Sequence, residues 1–578
     1  MTSEASGSHG TRKAQSAIGG FCSAIVLYSA IRPWLSHVLE CLESDVSSSF
    51  RQVRFCQIGS RVGGVALHTM RAVNCLLQLA YVIALFSCSH YLATASEESE
   101  TRQASLDVRR PGPLVSSNFC GLSFEVAQLL PNDNGLHYFR KDNQPLINLF
   151  HSLGVKSLRV GGNTSDRDAN KLPSAADWDS LFGFAKAAGV KVIYCLQLHK
   201  GDPQVAAQSV QYIMDHYGSL VDAFSIGQES TAYPVANLDD RSANARMGPA
   251  VEHYDYSIYA KEWKRFAAVI TAVVPQVKFC GPGVHLDGRW ACAFMADFGH
   301  SNHVALITEH LYPGGAAGAV PTPAIGRSLM LSDDFQQTYQ KLYESFVPQT
   351  ISSGLPYRLE EVNNFYNGGA TDVSDTFAAA LWGLDFMYWW AEHGAAGVNF
   401  HTGDRVAAGS SLTVCKYTAL LSTSQGYHVR PLGYGIKAFD LGSHGQIIPV
   451  VISGPKRPDL SIYAVLSEDQ TLYVTVLNKQ SNPKARHTKL ALRLNGGHYT
   501  TATAMSLVTH DNNVAAREGQ TLGGAVINED GSWHGTWTSL KSSNLGDLSR
   551  DILNMEIPPA SGCIVRLTTA RAAKLLNN

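Results

Sequence analysis

Tyr357-Arg358-Leu359-Glu360-Glu361-Val362-Asn363-Asn364-Phe365-Tyr366-Asn367-Gly368-Gly369 opens as an apolar-alternating strand and carries two carboxylates where that strand should end. It then breaks into a turn at paired glycines. In an α/β barrel the C-terminal ends of the strands build the active site. A carboxylate there lies at the floor of a cleft, where loss of hydration is costly unless the charge is used. Phe224-Ser225-Ile226-Gly227-Gln228-Glu229-Ser230 has the same form upstream. Two acidic residues that end two different strands are the minimum equipment for splitting a glycosidic bond.

Outward from these stretches, over 107–425, strand-like apolar runs alternate with amphipathic helical ones. The strand candidates are 119–126, 156–161, 191–198, 223–229, 277–283, 304–312, 357–361 and 397–402. The helices between them are punctuated. Ser174-Ala-Ala-Asp177 reads as a capping box, Trp178, Leu181, Phe182 and Ala185 form one stripe, and Gly189 is a stop. An α/β chain of eight such repeats predicts a (β/α)8 TIM barrel. An open doubly wound sheet is the competing topology, but no GxGxxG follows the first strand. After 426 the period changes to two. Lys489-Leu490-Ala491-Leu492-Arg493-Leu494 alternates and ends in Asn495-Gly496-Gly497, so 426–570 is expected to be a C-terminal antiparallel β-sandwich, with 571–578 a tail.

A chain of 578 residues is too long for one core, and 45% hydrophobic with 16% charged residues is ordinary for a globular protein. The net charge of -2 gives no reason to expect nucleic acid. No CxxC pair or His/Cys cluster at zinc spacing appears, so no metal and no cofactor is expected. The cysteines beyond the first 95 positions are scattered, several inside strands, where buried free thiols are the plain reading. Met70-Arg71, an apolar run over 75–87 and Ala93-Thr94-Ala95 have the parts of a secretory signal peptide over 70–95. The expectation is that translation starts at Met70, that 1–69 is an extension outside the fold, and that 96–106 is a polar linker. A type II membrane anchor is the alternative, although the run is short and interrupted for a bilayer span. The protein is thus expected to be secreted, with no stable membrane partner.

Taken together, these motifs resemble the clan A glycoside hydrolases, and most closely family 79, which holds β-glucuronidases and heparanase-like enzymes. The resemblance covers about 107 to 570. It rests on Ile226-Gly227-Gln228-Glu229, on Glu309-His310-Leu311-Tyr312, on Glu361-x-Asn-Asn-x-Tyr366-Asn-Gly368-Gly369 and on Gly397-Val-Asn399-Phe-His401, in barrel order. In this clan the acid/base ends strand four and the nucleophile ends strand seven, the strands on which the two carboxylate stretches lie. The resemblance selects Glu361 as nucleophile over Glu360. Strand alternation is expected to send Glu360 to the opposite face, paired with a cation outside the barrel. Glu361 would attack the anomeric carbon as a carboxylate. Glu229 would hand its proton to the leaving oxygen and later take one from water.

The resemblance also implies a glucuronate-containing oligo- or polysaccharide as substrate. Its carboxylate would be held by Tyr366 and Gly368 and by Tyr417 on the loop after strand eight. His310 and Tyr312 would sit beside the nucleophile and orient it, and Asn399 and His401 would face the substrate. Asn163 in Gly161-Gly162-Asn163-Thr164-Ser165 is either a glycosylation sequon or a substrate-facing amide, and its place at a strand end favours the second. One departure stands out: the clan usually places Asn before the acid/base, and here the residue is Gln228. A neutral-sugar β-glycosidase and a catalytically silent glycan-binding relative are the alternatives.

Overall fold

A computed structural model describes residues 101–166, 172–233, 254–408, 411–455, 457 and 459–570. The leader-like segment 70–95, the extension 1–69 and the tail 571–578 lie outside the described residues. No helix among the described residues is long and apolar enough to cross a membrane.

All eight strand expectations within 107–425 correspond to strands, and these close into one parallel barrel. Arg102–Asp107 precedes them as β1. The barrel is β2 Cys120–Glu125, β3 Ser157–Gly161, β4 Lys191–Leu196, β5 Val221–Ile226, β6 Phe279–His285, β7 Val304–Leu311, β8 Tyr357–Val362 and β9 Gly397–His401. β2 pairs with both β3 and β9, which completes the circle and leaves no open edge. The helix Ala175–Ala188 starts at the expected capping box and ends at Gly189 in the left-handed conformation, φ 65°. Ile193, Ala223, Cys280 and Leu306 from four successive strands pack together as an apolar layer. Closer to the C-terminal mouth the interior turns polar, with Arg159, Thr308, Glu360 and Asn399 all fully buried. A polar layer inside a barrel is stable only if every charge has a partner, and the site below shows that each has.

Two findings revise the expected domain boundaries. Residues 102–107 are not linker: β1 pairs antiparallel with Val450–Ile452 and parallel with Thr488–Asn495, as part of a five-stranded sheet. The β region is therefore built from both ends of the described chain, and one of its ladders is parallel. The signal passed unnoticed because Arg102-Gln-Ala104-Ser-Leu106 alternates with only two small or aliphatic side chains, Ala104 and Leu106, both of which are buried. Secondly, the sheet containing Leu460–Leu466, Leu472–Asn478 and Ser561–Thr568 is buried on both faces. One face meets the five-stranded sheet; the other meets the barrel helices Phe377–Glu392 and Pro431–Gly442. Phe377–Glu392 is buried along nearly its whole circumference, as a helix between two layers must be. There Tyr388 stacks on Tyr463 with centroids 4.8 Å apart, and Lys479 Nζ meets Asp385 at 2.7 Å in a buried ion pair. The six described cysteines are free thiols.

Candidate active site

β5 ends at Ile226, and the chain turns through Gly227 at φ 91° and Glu229 at φ 45°. A non-glycine residue in the left-handed region is strained and persists where its surroundings fix it. Here the fixing contacts are backbone ones. Glu229 N–H donates to the Gly283 carbonyl at 3.1 Å, and Gln228 N–H donates to Asp166 Oδ2 at 2.8 Å. Asp166 Oδ1 also accepts from the N–H groups of Leu198 and His199. The acid/base candidate is thus held from three neighbouring strand ends.

β8 departs from regular alternation at its two carboxylates. Glu309 faces Leu359 and His310 faces Glu361, so Glu360 is the extra residue of a bulge. Glu360 and Glu361 consequently both turn inward. The expectation that Glu360 points outside the barrel toward a cation is wrong, because strict alternation does not survive a bulge. Glu360 is fully buried; its Oε1 accepts from Thr308 Oγ1 at 2.8 Å and lies 3.6 Å from His310 Nε2. A matching irregularity in β6 leaves Gly283 unpaired at φ 64°. A Cβ at Gly283 would stand 2.6 Å from Glu360 Oε1, so the second carboxylate has room only beside a glycine.

Glu361 is the centre of the polar layer. Tyr312 OH donates to its Oε1 at 2.9 Å; Arg159 Nη1 at 2.6 Å and Gln228 Nε2 at 3.0 Å donate to its Oε2. Arg159 Nη2 donates in turn to Gln228 Oε1, so arginine, amide and carboxylate close a triangle. Burial pushes the Glu361 carboxyl up, but His401, His310, Arg159 and the Tyr312 hydroxyl outweigh it and hold the group well below the usual range. Glu361 is therefore held as a carboxylate. Glu229 is more open, its side chain 19% exposed, with Oε1 3.0 Å from His310 Nδ1. One oxygen of Glu229, one of Glu361 and a ring nitrogen of His310 all lie within 4.8 Å of one another. Burial disfavours charge on His310, but the Glu361 field, the Glu229 hydrogen bond and the nearby Glu360 raise it to about 9.

A raised histidine has a defined consequence for stability. Its contribution is whole below the ordinary value of 6.5 and is lost as pH climbs through about 9. The urea midpoint is therefore expected to fall between those limits, and to fall less in His310→Gln. Equal slopes in the two proteins would contradict the charge assignment.

Of the residues expected from sequence, Asn163, Glu229, Tyr312, Glu361, Tyr366, His401 and Tyr417 line one cavity of about 210 Å³. Gln228 and His310 are packed under it. His310 is a partner of Glu229 rather than a neighbour that orients Glu361. Two expected residues do not face the cavity. Asn399 is sealed in the barrel, its Oδ1 bound by Arg358 Nη1 at 2.9 Å and its Nδ2 donating to Ser157 Oγ at 3.0 Å. Gly368 holds the loop instead: its carbonyl accepts from Lys416 N–H, and a Cβ there would meet Thr413 Cγ2 at 2.6 Å.

Arg159, Glu125 and His285 were not found from sequence. Arg159 carried a signal, a lone cation inside the apolar run Ser157-Leu-Arg-Val-Gly161, which must meet a carboxylate if buried. Glu125 accepts from Thr164 N–H and Oγ1 and from Ala407 N–H, and it lies 3.4 Å from His401 Nε2. His285 Nε2 accepts from Tyr312 N–H at 3.2 Å, and burial keeps its ring below the usual histidine value. A larger cavity of about 520 Å³ lies between the helices Ala175–Ala188 and Pro203–Tyr217. Among the described residues its wall carries no carboxylate pair, whereas the smaller cavity carries Glu229 and Glu361.

The model of the glycosyl hydrolase family 79 N-terminal domain matches residues 171–387, which contain both Glu229 and Glu361. A β-glucuronidase of Aspergillus niger is 25% identical over 382 residues, covering 58% of this chain and 66% of that protein. Heparanase-like protein 1 of Arabidopsis thaliana is 22% identical over 231 residues, 37% of this chain and 40% of that one. The matches thus span just under two thirds and two fifths of these relatives' own lengths. The solved structure of a 4-O-α-L-rhamnosyl-β-D-glucuronidase from Fusarium oxysporum 12S superposes with TM-score 0.58 at 17% identity, over 80% of this chain and 99% of that one. A family 51 arabinofuranosidase from Xanthomonas axonopodis pv. citri does so with the same TM-score at 12% identity, over 81% and 100%; at such identities the likeness is one of fold. Residues 171–387 thus match the glycosyl hydrolase family 79 N-terminal domain, and the barrel they belong to carries a paired-carboxylate site inside that segment.

Proposed function

We propose that the protein is a retaining β-glucuronidase that removes β-linked glucuronic acid, or its 4-O-methyl form, from glycans. The observation that carries the mechanism is the separation of the two carboxylates. Oxygens of Glu229 and Glu361 within 4.8 Å of each other suit the retaining spacing of roughly 5–5.5 Å, and leave no room for the water an inverting enzyme needs between them. Glu361, ionised and fixed by Tyr312, Arg159 and Gln228, attacks the anomeric carbon. Glu229 protonates the leaving oxygen, then takes the proton of the water that opens the glycosyl-enzyme. The Gln228 amide lies where a donor could bind both the nucleophile and the sugar 2-hydroxyl. A catalytically silent relative would have no reason to keep both carboxylates partnered in this way.

The uronate preference is supported by the Aspergillus niger relative and by two phenols, Tyr366 and Tyr417, on the cavity wall. One observation favours a second reading, a neutral-sugar β-glycosidase: among the described residues the wall carries three carboxylates and no lysine or arginine. The two readings separate on nitrophenyl sugars. The β-glucuronide is expected to be hydrolysed at least tenfold faster than the β-glucoside, because a site built around a substrate's polar group rejects the analogue that lacks it. The reverse order would establish the neutral-sugar reading. Secretion rests on 70–95 alone, and mass spectrometry of the mature N-terminus tests it; a retained peptide from 1–60 would contradict it.

A further inference from the structure

We infer that Glu360, the neighbour of the nucleophile, is a positioning residue for the acid/base: it acts through His310 to keep an imidazolium against the Glu229 carboxyl for the whole catalytic cycle. The inference rests on Glu229 being the acid/base, as proposed above. Three side chains stand in line. Glu360 Oε1 is 3.6 Å from His310 Nε2, an ion-pair distance, and His310 Nδ1 is 3.0 Å from Glu229 Oε1. Glu360 is fixed at the far end by Thr308 Oγ1, and the paired bulges at Glu360 and Gly283 exist where this carboxylate enters the barrel. A barrel interior does not admit an extra charge unless it is partnered, and His310 is the cation within reach on this side.

The reason for a third carboxylate emerges when the charges are followed through the reaction. Before attack Glu229 is protonated and Glu361 is charged. In the glycosyl-enzyme Glu361 is an ester and neutral, while Glu229 has lost its proton to the departing oxygen. Each catalytic carboxylate is therefore neutral at one stage, whereas Glu360 takes no part in bond making and stays charged. His310 neither gives nor takes a proton; its fixed charge stabilises the Glu229 carboxylate that forms as the leaving group departs. Among the described residues, the titratable or charged groups packed around His310 include Glu229 after β5, Cys280 and His285 on β6, Glu309 beside it on β7 and Tyr312 just after that strand, Glu360 and Glu361 on β8, with Arg159 on β3 behind them. Burial pushes the Glu309 carboxyl up and so disfavours charge on it, which makes it a poor substitute for Glu360. Burial pushes Glu360 up as well, but His310, Arg159 and Thr308 bring it below its ordinary value.

The test uses Glu360→Gln, and Thr308→Val in case the first variant folds poorly, since Thr308→Val keeps the carboxylate and removes only its anchor. NMR of carbon-labelled histidine, with the His310 signal assigned by its loss in His310→Gln, reads the ring titration directly. In the wild type it is expected near pH 9, and in Glu360→Gln lower by about one pH unit or more, as loss of a carboxylate at this range implies. Aryl substrates with poor leaving groups, which need the acid, should lose about tenfold more kcat/KM than dinitrophenyl ones, a fraction of the roughly 10²–10⁴ that acid–base catalysis supplies. An unchanged titration overturns the inference. So does a lowered titration with an equal loss for all leaving groups, since a merely structural role would act uniformly. The titration needs no substrate, so failure of the glucuronidase reading leaves that arm decisive.

Discussion

Glu361→Gln is expected to lower kcat by about 10⁴-fold or more, as removal of an activated nucleophile does, while the protein still folds. Glutamine keeps one oxygen where Arg159 and Gln228 donate, and its amide NH2 can donate to the Tyr312 hydroxyl oxygen in place of the bond that hydroxyl gave. The Arg159 guanidinium also retains Gln228 and Ser123 as acceptors. The loss should therefore appear chiefly in turnover, with a fall in the thermal midpoint smaller than removal of Arg159 causes, because the amide keeps hydrogen bonds that the charge shared. The bulge in β8 makes this experiment sharper than it would be on a regular strand. Both Glu360 and Glu361 enter the barrel, and only their partners tell them apart. Glu361 meets the cavity and the Tyr312 hydroxyl; Glu360 lies below, fully buried against Thr308. Activity within tenfold of wild type in Glu361→Gln would hand the nucleophile's role to Glu360.

The second large effect is on stability. Arg159 is fully buried and supplies the guanidinium that Glu361 needs and that Glu360 senses. Arg159→Met removes it and leaves buried carboxylate charge without the cation that touches it. Breaking a buried pair from one side costs about 3–5 kcal/mol, so the urea midpoint should drop well beyond the effect of Glu361→Gln, and activity should be lost with it. Arg159→Lys should recover part of the stability and little activity. An ammonium cannot reach Glu361 and Gln228 together as the two arms of the guanidinium do. A midpoint unchanged in Arg159→Met would mean that His310 and His401 already neutralise the layer.

These residues also mark how far the sequence could be read. The barrel strands announced themselves because buried parallel strands are short apolar runs bounded by turn residues, and Glu229 and Glu361 stood out as charges at their ends. What failed was anything decided between strands. The bulge at Glu360 depends on the register of β7 against β8, which no local pattern encodes, so alternation gave the wrong face. Asn399 and His401 share one face of β9 at successive depths, and only the height of the barrel shows that Asn399 belongs to the sealed interior and His401 to the cavity. Gly368 was read as a carboxylate donor, yet its close neighbour is Thr413 of the hairpin Arg405–Ala408 and Ser411–Val414. β1 was lost in a polar stretch whose partners lie some 340 residues or more further along the chain. Arg159 was the one oversight with a visible signal.

The account depends on Glu229 and Glu361 acting on one sugar from opposite sides with a covalent intermediate between them. Proton NMR of the first-formed sugar during hydrolysis of a β-glycoside that the enzyme accepts tests this most directly. The account predicts the β-anomer first, with the α-anomer appearing later by mutarotation. An α-anomer formed first would show direct attack by water, and would contradict the double displacement.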